Sequence, residues 1–90
     1  PVNINILSNS QKKLSNTFAG KVDDRWNNTE YSLAKNKVPY FKRSLGLIEA
    51  KVFQKIIAGD HNIILCKITD YQTFNVKKPL LYYKSKYQTI

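Results

Sequence analysis

A mainly β domain, an antiparallel barrel carrying one short helix, is the fold class that this 90-residue chain predicts. Three observations carry that expectation. The segment Val2 to Leu7 alternates apolar and polar residues with period two; a helix start and stop bracket Ser8 to Gly20; and two β-rich runs meet across Ala58-Gly59-Asp60.

Taken in order, Val2, Ile4 and Ile6 fall on one face of the first strand and Asn3 and Asn5 on the other, so the apolar face is expected to be the buried one. Ser8 is placed to cap a helix with Gln11 three residues on, close to a capping box, and Leu14 and Phe18 follow at helical spacing. Gly20 ends that helix as its C-terminal glycine. From Lys21 to Val38 the chain is polar and Asn-rich, a long surface excursion with Trp26, Tyr31 and Leu33 as isolated anchors. Ser44 to Ile57 and His61 to Thr69 then form a hairpin turning at Gly59 and Asp60, with His61 facing Ala58; glycine supplies the positive φ that a type II′ turn needs. Asp70 to Lys78 reads as a loop, and Pro79 introduces a last strand from Leu80 to Lys84 or beyond.

Composition narrows the functional classes. A 42% hydrophobic fraction with six tyrosines and four phenylalanines argues for an ordered, packed chain, although one this short buries only roughly 60% of its unfolded surface. The formal charge of +9 raises nucleic-acid binding, but the lysines are scattered, only Lys12-Lys13 and Lys77-Lys78 are adjacent, and no arginine block accompanies them. The charge is therefore read as surface, with no nucleic-acid partner expected. One cysteine and one histidine fall short of a four-ligand structural zinc site, so no metal is expected. The lone Cys66, inside an apolar run, reads as a small buried thiol of a reduced, cytoplasmic protein. Apolar runs of about four residues are far below the roughly 20 of a spanning helix, so no membrane partner is expected.

Several segments stand in a family order: Asn5-Ile6-Leu7-Ser8, Phe18-Ala19-Gly20-Lys21, Asp24-Arg25-Trp26, Gly59-Asp60-His61 and Leu80 to Tyr87. In that order the chain resembles the C-terminal part of the short-chain NAD(P)H:flavin reductases, whose fold is an FMN-binding split barrel. The resemblance implies a mainly β antiparallel split barrel with one short helix, here incomplete. Family members carry further strands and Ser/Thr-rich phosphate-holding segments ahead of the segment matching Val2 to Leu7. Residues 1–90, which open at Pro1 and contain no methionine, are accordingly expected to be the C-terminal part of a single domain.

The resemblance further implies hydride transfer from NAD(P)H to FMN or FAD, a homodimer, and a possible flavin-dependent monooxygenase that receives the reduced flavin. Gly59, Asp60 and His61 would lie beside flavin and nicotinamide, with His61 the catalytic candidate; from the residues alone, the same segment is a turn in which Asp60 caps backbone N–H groups and His61 is half exposed. Asn5 and Ser8 match the strand-to-helix junction that passes close to the flavin, and Gly20 and Lys21 would line its side; simple capping by Ser8 remains the alternative. Tyr82 and Lys84 complete the cofactor-binding candidates. The family's Arg-Gly-Arg ending reads Lys84-Ser85-Lys86 here, which keeps charge but loses the bidentate guanidinium fork. No acid–base pair is expected, because flavin and nicotinamide carry the reaction. Two other readings are a truncated, non-catalytic flavin-binding or dimerisation module and, more remotely, a small basic nucleic-acid-binding β-domain.

Overall fold

The computed structural model describes residues 1–20, 24–27, 29–75 and 78–88. It is mainly β with one helix, as the periodicities predict. Strand β1 (Val2–Ile6) leads through a 3-10 turn at Asn9–Gln11 into helix α1 (Lys12–Ala19); β2 (Ser32–Leu33), β3 (Pro39–Tyr40), β4 (Gly46–Ala58), β5 (His61–Thr73), β6 (Leu81–Tyr83) and β7 (Lys86–Gln88) follow. The main sheet has order β1-β4-β5, all antiparallel, while β2-β3 and β6-β7 are two-stranded ribbons. Among the described residues these sheets do not close into a barrel.

The β4-β5 hairpin turns where expected, with Ala58 opposite His61. Gly59 has φ +64°, and Asp60 is absent from the positive-φ residues, the signature of a type II′ turn. Its boundaries differ from the sequence reading: β4 starts at Gly46, and β5 runs on through Thr73 where a loop was expected from Asp70. The extension has a cause, since Gly46 to Glu49 pair with β1 on one side and offer the open side of their ladder to residues 70–73. Register shifts leave Phe53 and Thr69 as extra residues, and such bulges bend a ribbon and raise its twist. A hairpin arm of about 40 Å at ~3.3 Å per residue is thereby held in a molecule of 34 × 33 × 29 Å.

The alternation of β1 is present, but its covered face is the opposite of the predicted one. Ile4 and Ile6 remain 46% and 44% exposed, whereas Asn3 and Asn5 are half-buried. The reason is hydrogen bonding. Asn3 Nδ2 donates to the carbonyls of Val38 and Pro39, Asn36 Nδ2 donates to Asn3 Oδ1 at 2.6 Å, and Asn5 Oδ1 accepts from Phe41 N at 3.0 Å. The segment around β2-β3 is thus fastened over the asparagine face. Glu49, 1% exposed, secures the same segment by accepting Asn36 N at 2.9 Å, and its other oxygen has no partner among the described residues.

The buried centre is small and mixed: Leu47 and Ala50 with Ser8, Gln11, Ser44 and Glu49. Gln11 is a hub within it, accepting Ser8 N at 2.9 Å and donating to Ser44 Oγ at 3.4 Å. The expected cap is therefore real, but it opens a 3-10 turn before α1 begins at Lys12. Gly20 does end the helix, in an extended conformation (φ −83°, ψ 168°) rather than a left-handed one, with its N–H held by the Asn16 carbonyl. Trp26 and Tyr31 are not isolated anchors. Phe18, Trp26, Phe41 and Tyr31 form a cluster with centroid spacings of 5.0–6.0 Å, so part of the expected excursion is packed on α1, while Leu33 is 60% exposed. Cys66 is half-buried rather than buried, because the outer part of the hairpin is covered on neither face.

The last segment is a hairpin and not a single strand. Tyr83 pairs with Lys86 across Lys84 and Ser85, whose φ values of 51° and 61° define a type I′ geometry. Neither residue is the glycine or asparagine that announces such a turn. A left-handed L-residue costs about 1–2 kcal/mol, partly offset in glycine by about 0.5–1 kcal/mol of extra unfolded-state freedom. Ser85→Gly is accordingly expected to stabilise the protein by about 0.5–1 kcal/mol in chemical denaturation. A destabilisation would contradict the left-handed turn.

Candidate functional site

Backbone pairing gathers several of the predicted residues around α1. Asn9 N donates to Lys78 O at 3.0 Å, Leu80 N to Leu7 O at 2.9 Å, and Ser8 bridges to Pro79, which lays the start of β6 beside the junction after β1. From β7, Tyr87 donates its hydroxyl towards Ser15 Oγ and Asn16 Oδ1, both at 2.9 Å, and packs its ring 5.1 Å from Tyr82. Lys12 Nζ lies 5.4 Å from the Tyr87 ring centre. The ribbon β6-β7 is thus pinned to the helix by a tyrosine that the sequence reading did not select.

Within this group the side chains differ in availability. Asn5 uses Oδ1 for Phe41 N, leaving Nδ2 without a protein partner among the described residues. Tyr82 and Tyr83 are both exposed, at 66% and 64%, instead of alternating in and out. Lys84 sits in the turn, its Nζ 5.5 Å from the Tyr83 ring centre. Ser8 is fully buried, and its hydroxyl is engaged by Ser10 Oγ at 3.0 Å and Gln11 Oε1 at 3.4 Å. Its backbone and hydroxyl act in the cap, which favours the structural alternative for that residue. Gly20 offers its carbonyl to Arg25, whose guanidinium donates to Phe18 O at 3.5 Å and Gly20 O at 3.3 Å. An arginine on the last carbonyls of a helix both satisfies them and complements the helix dipole. Arg25 was legible only as part of a motif, not as this clamp. Lys21 lies outside the described residues.

Gly59, Asp60 and His61 stand apart from that group. β1 pairs with Gly46 to Ala50 of β4, and the hairpin tip lies a further arm of about 26 Å beyond Ala50 at ~3.3 Å per residue. At the tip, His61 Nδ1 is 2.6 Å from Asp60 Oδ1, with side chains 82% and 92% exposed. The Asp60 carboxylate therefore caps the imidazole rather than a backbone N–H. With a carboxylate as its partner, Nδ1 is the donor in this contact. The candidates thus lie on separate elements: Asn5 on β1, Tyr82 on the β6-β7 ribbon that Tyr87 pins to α1, and an Asp–His pair on an exposed arm.

Among the described residues, no group of three His, Cys, Asp or Glu side chains forms a metal cluster, and no helix is long and apolar enough to cross a membrane.

Comparison with known proteins follows the same outline. The model of the flavin reductase like domain matches residues 1–90. A probable flavin reductase of Rhizobium meliloti (strain 1021) is 38% identical over 69 residues, 77% of this chain and 22% of that protein. The reductase component of the flavin-dependent trigonelline monooxygenase of Acinetobacter baylyi is 30% identical over 86 residues, covering 96% of this chain and 27% of its own. In three dimensions, the flavin reductase HpaC complexed with NADP+ superposes with a TM-score of 0.83 at 31% identity, over 98% of this chain and 56% of that one. The chain thus spans from about a fifth to just over half of the length of these proteins.

Proposed function

The chain belongs to the flavin reductase like domain family, and from that premise we propose that it is the C-terminal part of a single domain whose parent protein transfers a hydride from NAD(P)H to FMN or FAD. The match over all 90 residues is the observation that carries this reading. In it, the reduced flavin passes to a flavin-dependent monooxygenase, as in the Acinetobacter baylyi relative, a monooxygenase reductase component. The setting is cytoplasmic.

Flavin and reduced nicotinamide supply the hydride chemistry when bound; this chain's residues bind, orient and shield. Asn5 offers its free Nδ2 as a hydrogen-bond donor. Tyr82, backed by Tyr87, presents an exposed ring face for stacking, and Lys84 contributes a positive charge at the adjacent turn. Ser8 and Gly20 shape the two ends of the helical segment through backbone contacts, and Lys21, next in the sequence, is the flavin-side candidate that the family resemblance implies. Gly59 permits the tight turn, Asp60 holds the imidazole in one tautomer, and His61 directs Nε2 at the nicotinamide. None of these roles requires a proton to be removed from a carbon, so the lack of a carboxylate pair is consistent with them.

The outer hairpin carries apolar side chains on both faces, with Ile56 and Ile63 on one and Ile57 and Ile64 on the other, all exposed. A single-faced sheet would alternate with polar residues. Two exposed apolar faces support a homodimer in which one face meets the parent domain and the other a second copy. The experiment for the whole reading is absorbance of the intact protein with added FMN, followed by steady-state NAD(P)H oxidation. A perturbed flavin band and flavin-dependent turnover are expected. Absence of both would reject the reductase reading, and a perturbed band without turnover would favour a non-catalytic flavin-binding module.

A further inference from the structure

A cleft of about 720 Å³ lies on the side of α1 turned away from β6-β7, between the helix and the segments 29–32 and 41–43. None of the residues assigned above to flavin or nicotinamide lines it. We propose that this cleft binds a nucleoside phosphate, its base against Tyr31 and Phe41 and its phosphate on Lys13, Lys42 and Arg43, at a place separate from the flavin-binding group.

Three features carry the assignment. The cationic side chains come from two opposite walls, Lys13 from α1 and Lys42 and Arg43 from the turn after β3, and none is ion-paired among the described residues. Glu30 is the lone acidic residue lining the cleft, so its net charge is positive and favours an anion; Arg43 adds a guanidinium fork suited to phosphate. The aromatic side is already built. Tyr31 is 50% exposed, so a ring face is open, while its other contact is Trp26 at 5.3 Å, itself stacked on Phe41 at 6.0 Å. A ring fixed by neighbours offers a stacking surface at little entropic cost, and base stacking on an aromatic side chain does not depend on base identity. The volume lies within the roughly 300–1,000 Å³ of small-ligand sites. A purely apolar ligand would leave three cations unsatisfied, and a bare phosphate would leave the aromatic wall unused.

The nucleotide could be free or be the adenylate end of a dinucleotide, and the experiment separates these. The intact protein is titrated calorimetrically with AMP, adenosine, inorganic phosphate, NADPH and FMN. AMP is expected to bind saturably at one site per chain, with adenosine and phosphate each at least tenfold weaker. The double variant Lys42→Glu/Arg43→Glu should weaken AMP at least tenfold. Lys51→Glu/Lys55→Glu, with the same charge change at two exposed positions of β4, should alter it less than twofold. AMP displaced by NADPH identifies the source as a dinucleotide; AMP undisturbed by NADPH identifies it as a free nucleotide, and either supports the cleft. Non-saturable binding, or equal losses in the two double variants, would reduce the effect to general attraction by a basic surface and overturn the proposal. So would competition by FMN with equal loss of FMN in the cleft variant, because the cleft would then be the flavin's own seat. AMP binding can persist where flavin binding and turnover fail, so this inference and the reductase reading stand or fall separately.

Discussion

Leu47→Ala is expected to lower stability by about 3 kcal/mol, within the roughly 2–5 kcal/mol seen when a fully buried leucine is truncated. Leu47 is 1% exposed, and among the described residues the other buried ones are Ala50, Gly46 and the polar Ser8, Gln11, Ser44 and Glu49. Collapse around the vacated volume is restricted on two sides. The backbone of Leu47 is paired with Asn5 of β1 and Gln72 of β5, and the Gln11 amide is tied to Ser8 and Ser44. Relaxation towards the cavity would stretch hydrogen bonds that have no water to replace them. For a domain of this size the loss corresponds to a fall in Tm of about 10–25 °C. Leu47→Met, which conserves volume, should cost less than about 1.5 kcal/mol. Thermal and urea denaturation of both variants, beside Ile57→Ala at a position 80% exposed within this chain, provide the check. Equal shifts for Leu47→Ala and Leu47→Met would show that the volume at this position is not what the fold depends on.

The same small centre explains which parts of the structure the sequence revealed. Local signals were readable: the Gly59 turn, the Ser8 to Gln11 cap and the end of the helix at Gly20 all depend on residues within a few positions of one another. What failed depended on partners far along the chain. Asn3 and Asn5 look like a solvent face until Asn36, Val38 and Phe41 are brought across them, and the backbone groups of that segment then need those amides. The β6-β7 hairpin was hidden because Lys84 and Ser85 take left-handed conformations without glycine. At the site, the Gly-Asp-His tip was legible because it is a turn. The Arg25 contact to Gly20 and the Tyr87 contact to α1 were not, since no spacing rule links an arginine to a preceding carbonyl five residues back or a tyrosine to a helix 71 residues away.

His61→Ala is expected to lower kcat/KM for NAD(P)H by about tenfold or more in the parent protein, about 1.4 kcal/mol of transition-state stabilisation, while FMN affinity changes little. The asymmetry follows from the two-part site. Asn5 lies on β1 and Tyr82 on β6, whereas the imidazole stands at the tip of the β4-β5 arm, so removing it should leave the proposed flavin contacts unaltered. The effect should pass through Nε2, because Nδ1 is committed to Asp60 Oδ1 at 2.6 Å. Two further variants test that route. His61→Asn keeps a hydrogen-bonding group near the tip and should lose less than His61→Ala. Asp60→Asn keeps the shape of the capping side chain but removes its charge and so loosens the Nδ1 contact; it should lower kcat/KM for NAD(P)H while FMN affinity stays unchanged. Steady-state NAD(P)H oxidation with saturating FMN, run beside a flavin titration and circular dichroism for each variant, separates the outcomes. Unchanged nicotinamide kinetics in a folded His61→Ala protein would make the Asp60–His61 pair a turn ornament without a part in hydride transfer. A parallel loss of FMN affinity would instead place the arm against the flavin itself.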